Sequence, residues 1–179
     1  GSEFESSPPR EQFDCCRWDD VAAMYRRAVM LEIPYQRVSY SEDSLWARDA
    51  LRRGWKLVYD YRAVVYHYHS ETFKFRFKRN LTTHYWELKN FNCCRDYEWP
   101  FMPMARAVFH SLKLREFNLG ARVHWLRYNL SLELAGWCAM TLFRVLLSTT
   151  GIRGIERVHA YFCNRPPIPQ KKTHSTIPS

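Results

Sequence analysis

Four residues in one short segment have the types and spacing to do chemistry. Glu42 and Asp43 stand as a bare carboxylate pair at the start of the run SEDSLWARDALRRGWKLVYDYRAVVYHYH (41–69). His67 and His69 close it, one residue apart. A carboxylate can take the proton from a hydroxyl that is about to act as a nucleophile. Two imidazoles on one face of a strand, about 6.6–6.8 Å apart, can chelate a metal if a third ligand arrives from elsewhere. The bland readings are open too. Acids in a first helical turn complement the helix dipole without doing chemistry, and a strand histidine can be purely structural.

The elements that must position these groups are legible in outline. Ser41 is placed to cap a helix whose first turn holds Glu42 and Asp43. Trp46, Ala47, Ala50 and Leu51 fall on one face, Arg48, Asp49, Arg52 and Arg53 on the other, and Gly54 suits the C-terminal stop. Residues 55–61 and 63–69 are rich in Val and Tyr and are expected to be strands, the second carrying His67 and His69 on one side. Upstream, 5–11 reads as a polar, Pro-containing loop, 13–16 as a short strand, and 20–31 as a helix ended by Pro34. Downstream, helices are expected over 71–92, with Ser70 as cap, and near 104–118, 121–148 and 151–163.

The chain has 179 residues, 46% of them hydrophobic and 16% aromatic, which excludes a disordered class and suffices for a real core. Its charge of +9 favours an anionic partner: nucleic acid, an anionic membrane or a phosphate-bearing substrate. Six cysteines include two adjacent pairs, Cys15–Cys16 and Cys93–Cys94, without the C-x2-C spacing of zinc sites; reduced, buried thiols are expected. The run Leu134–Leu147, interrupted by Arg144, is shorter than the ~20 residues of an ordinary membrane span, so a core or interfacial helix is expected. Gly1–Phe4 read as a cloning scar, and the Pro- and Lys-rich stretch 165–179 as a disordered tail.

Taken in order, acid pair, amphipathic helix, Gly, aromatic strand and V-V-Y-H resemble the C-terminal half of the catalytic domain of family 2 glycosyltransferases, in the rhamnosyltransferase-like branch. MYRRAVMLEIPY (24–35) resembles that family's Tyr-Arg-Arg helix and Pro-aromatic turn, and FKFRFKRN (73–80) its following basic helix. The resemblance covers about residues 13–92. It implies a GT-A fold, here an α/β, helix-rich portion with a small sheet over 5–99, followed by a helical region over 100–164.

The resemblance also implies roles. Asp43 becomes the general base of an inverting transfer, with Glu42 orienting the acceptor. His67, with His69 as a weaker second, ligates a divalent Mg2+ or Mn2+ that offsets the leaving diphosphate. Arg26, Trp46, Lys78 and Arg79 become substrate contacts. The implied partners are a nucleotide sugar (a dTDP- or UDP-sugar) and a glycan or lipid-linked acceptor, with no nucleic acid. The implied location is cytoplasmic, peripheral on the cytoplasmic face of a membrane. The Asp-x-Asp donor-binding region of such enzymes has no counterpart in these residues, so the chain alone is expected to be inactive. Two other classes stand beside this one. A basic nucleic-acid-binding module would use the dispersed Lys and Arg residues, and a small structural metal protein would use His67, His69 and the cysteines.

Overall fold

A computed structural model describes residues 2–18, 20–38, 40–65, 71–94, 99–113 and 117–163. The elements are α1 (Ser2–Ser6), α2 (Pro9–Cys15), a 3-10 turn (Asp20–Ala22), α3 (Arg27–Glu32), α4 (Glu42–Arg52), α5 (Phe73–Phe91), α6 (Phe101–Lys113) and α7 (Leu119–Cys163). No strand occurs among the described residues. The expected α/β GT-A portion with its small sheet is therefore overturned: the described chain is helical.

The reason is visible in the segment after α4. Residues 55–61 carry the Val and Tyr of a strand but run without regular structure into a turn, where the Ala63 amide donates to the Asp60 carbonyl. Val58, Tyr59, Tyr61, Val64 and Val65 all stand exposed. A strand is held by a neighbouring strand's hydrogen bonds and by a face to bury, and an isolated pair is marginal in water. Neither condition is met here. Residues 66–70, with His67 and His69, lie outside the described residues, as does the tail 165–179.

Other differences have local causes. The stretch expected as a loop and then a strand, 5–16, forms α1 and α2 instead. Pro9 occupies the first turn of α2, where its missing N–H costs nothing. The single helix expected over 20–31 is a 3-10 turn followed, after a break, by the short α3. Ser41 does precede α4, but in the left-handed conformation (φ 64°) and without a capping hydrogen bond from its side chain. Thr72 caps α5, accepting from the Phe75 amide at 3.2 Å. Gly54 ends α4 at φ 82°, which costs a glycine little.

Two apolar clusters share α5. The first gathers Phe13, Val29, Ile33, Trp46, Ala47, Ala50 and Phe91 from α2, α3, α4 and the end of α5. The second packs Leu81 and Tyr85 of α5 against Ala139, Phe143 and Ile155 of α7. Phe143 and Ile155 lie on opposite sides of Gly151, where the backbone leaves helical geometry (φ 64°, ψ −163°). The bend is what lets both legs of α7 reach α5. Burial of large side chains such as Leu81, Phe143 and Ile155 contributes about 1.5–3 kcal/mol each.

Candidate functional site

Helix α4 is fixed to α5 at both ends. Ahead of its first turn, the Tyr40 hydroxyl lies 2.6 Å from Thr83 Oγ1. Toward its C-terminal end, Arg48 Nη1 donates to the Asn90 carbonyl at 2.9 Å, and its guanidinium lies over the Phe91 ring. Glu42 is exposed and Asp43 half-buried in the first turn. The Ser44 amide donates to Asp43 Oδ1 at 2.6 Å, which sets the orientation of that carboxylate.

Asp43, Trp46 and Ala50 follow one another at helical spacing and share a face of α4. Trp46 is buried, its indole N–H donating to the Ile33 carbonyl at 2.7 Å. Around it stand Tyr25 (ring centroids 4.8 Å apart), Tyr35 and Trp18. Trp18 Nε1 donates to the Tyr25 hydroxyl at 2.8 Å, and that hydroxyl lies 2.5 Å from Tyr35's. Each ring's polar atom is thereby satisfied and its orientation set.

Trp46 and Arg26 line one cavity of about 550 Å³, together with Trp18, Tyr25, Trp55 and Lys56. Aromatic faces flanked by two cations make a surface for a flat or ring-shaped ligand bearing hydroxyl or anionic groups. The structure thus brings Arg26 and Trp46 together, with Asp43 one turn along the same face. Trp18, Tyr25, Trp55 and Lys56 escape sequence reasoning. They are scattered over some 40 residues without a period, and only the side chains' packing against Trp46 unites them.

Lys78 and Arg79 belong to a different neighbourhood. Arg79 and Arg76 both pair with Glu71, which is buried. Arg79, expected as a diphosphate contact, makes an ion pair with Glu71 and keeps part of its guanidinium at the surface. Lys78 is half-buried, and its carbonyl accepts from the Cys163 thiol at 3.7 Å. His67 and His69 fall outside the described residues. Among the described residues, no group of three or more His, Cys, Asp or Glu could hold a metal ion.

All six cysteines are free. Cys15 is exposed beside buried Cys16, whose thiol burial pushes up to about 12. By length and composition alone α7 could cross a membrane, since the helix continues on both sides of Leu134–Leu147; within that run Ala139 and Phe143 pack into the second core, as expected of a core helix. Comparison with protein-family models, with curated proteins and with solved structures finds no match to this chain.

Proposed function

We propose that this chain supplies the acceptor side of an inverting glycosyl transfer at a membrane surface. The observation that carries the reading is the shared face of α4. It presents a half-buried carboxylate, Asp43, one turn from an aromatic cavity that Trp46 and Arg26 line. Of the ordered resemblance described above, the acid pair, the amphipathic helix and its terminal glycine support it, while the strand expected to follow them does not form over residues 55–65.

The chemistry follows from what a sugar hydroxyl lacks. It is a poor nucleophile until a positioned base takes its proton. Asp43 accepts that proton as the acceptor oxygen bonds to the anomeric carbon of a dTDP- or UDP-sugar. The bond from that carbon to the diphosphate oxygen breaks, and the nucleoside diphosphate leaves with the electron pair. The aromatic cavity holds the acceptor glycan, with Arg26 and Lys56 at its edge. The divalent cation, Mg2+ or Mn2+, is assigned to His67 and His69 by the resemblance alone.

Contact with a cytoplasmic membrane face is part of the proposal. On α7, Leu134, Val145 and Ile152 are exposed, and on α6, Phe101, Met102 and Phe109. Exposed Arg127, Arg153 and Arg157 accompany the apolar stretch of α7. Apolar surface with nearby arginines suits an anionic leaflet.

The test is Asp43→Asn in the enzyme that carries this chain. Volume and hydrogen-bond acceptance are nearly kept, while the basic oxygen is lost. Turnover at saturating substrates should fall about 10²–10⁴-fold, with the KM for the nucleotide sugar almost unchanged. Near-normal turnover would leave Asp43 as a helix-dipole carboxylate and end the assignment.

A further inference from the structure

A second cavity, of about 490 Å³, lies among α2, α5, α6 and α7 and does not include Asp43, Trp46 or Arg26. Its lining is rich in donor side chains, Arg10, Arg17, Arg76, Asn80 and His84 among them. Arg17 makes no side-chain hydrogen bond or ion pair among the described residues. Arg76 Nη1 pairs with Glu71, yet its Nε is buried without a partner. His84 is only 7% exposed and makes no hydrogen bond there; its nearest acid, Glu87, is 3.9 Å away. Arg10 stands at the same wall, in an exposed pair with Asp14 that costs little to open. The Asn80 amide reaches into the lining over Gly136, where a Cβ would come within 2.8 Å of it.

Buried donors are normally satisfied, so the orphaned Nε of Arg76, beside the exposed guanidinium of Arg17 and the buried imidazole of His84, leaves a place for an acceptor-rich occupant. Phosphate oxygens accept from guanidinium forks in the geometry that carboxylates share, but with more acceptor positions. One carboxylate, Glu133, also lines the cavity. It tempers the positive charge, which suits a single phosphoryl group better than a polyanion.

We propose that this cavity is a phosphoryl-binding site, with Arg17 and Arg76 as its principal cationic contacts and Asn80 and His84 completing the donor set. It is independent of the transfer chemistry assigned to Asp43. Two sources offer the same chemistry, a free phosphate ester and a lipid headgroup, since α6 and α7 also carry the exposed apolar surface.

The experiment uses the full 179-residue chain and two probes. The first is inorganic phosphate in titration calorimetry. The second is flotation with phosphatidylcholine vesicles doped with phosphatidic acid, undoped vesicles serving as blank. Arg17→Gln changes an exposed residue with no partner among the described residues, so folding survives; Arg37→Gln removes the same charge from the exposed segment between α3 and α4, outside the cavity and away from α7. Saturable binding that Arg17→Gln weakens about tenfold, and Arg37→Gln leaves alone, supports the site. Inorganic phosphate binding then identifies a free phosphate, and vesicle binding without it a headgroup. Equal weakening by both variants means diffuse attraction to a basic chain and overturns the proposal. So does an unaffected Arg17→Gln, or the absence of saturable binding in both arms. Asp43→Asn should change neither arm, so this result and that of the transfer test are read separately.

Discussion

Replacing Trp46 by Phe separates two meanings of that residue, a wall of the aromatic cavity and a strut of the first core. The indole N–H donates to the Ile33 carbonyl at 2.7 Å in a buried setting, at the end of α3. Phenylalanine keeps an aromatic ring but removes the donor. The Ile33 carbonyl is then left without that partner, at a cost of about 1–3 kcal/mol. The smaller ring also leaves a void beside Tyr25 and Trp18, which raises the cost toward the upper end. For a chain of this length each kcal/mol lowers Tm by roughly 2–4 °C, so the midpoint should drop by about 4–10 °C. Far-ultraviolet circular dichroism during heating and urea unfolding reads this directly. Trp55→Phe is the matched control: Trp55 is half-buried on the same cavity and its indole makes no such bond among the described residues, so its midpoint should hold within about 2 °C. A Trp46→Phe midpoint equally unmoved would refute the buried hydrogen bond and the placement of α3 on α4 with it.

Three further outcomes follow from single residues. Gly151→Ala forces a left-handed φ of 64° on a residue with a Cβ, so it should cost about 1–2 kcal/mol and lower Tm, although open space surrounds the position. Burial, then Lys89, lowers the pKa of His159, which stacks on Tyr85 and lies 3.1 Å from Thr82 Oγ1. The unfolded chain takes up that proton at the usual 6.5 and the folded chain only below it, so this stability is complete above that pH and is lost as pH falls through and beneath it. Urea midpoints across this range should fall more steeply in the wild type than in His159→Gln; parallel curves would exclude His159 as the source. Alkylation at mildly alkaline pH should label exposed Cys15 well before Cys16, whose thiol is buried and pushed up to about 12, and peptide mass spectrometry that finds Cys16 labelled first would contradict its burial.

What the sequence determined by itself is local. The spacing of Trp46, Ala47 and Ala50 gives α4 its buried face, Gly54 its end, and the carboxylate pair its first turn, because 3.6-residue periodicity and end preferences act within a few residues. The same logic locates α5 and anticipates two helical stretches, 121–148 and 151–163, where α7 bends at Gly151. Strand propensity at 55–65 has no such autonomy. Val58, Tyr59 and Val64 favour a pleated surface only when another strand supplies hydrogen bonds and a face, and the helices around them supply neither. The sites follow the same division. The acids of α4 can be found in the sequence because they are adjacent, but Arg79 is indistinguishable there from a free cation until Glu71 is seen beside it. The gathering of Trp18, Tyr25, Arg26 and Trp55 around Trp46, and of Arg17, Arg76 and His84 around one cavity, depends on long-range packing. No spacing along the chain encodes it, because the distances that matter there run between helices and not along them.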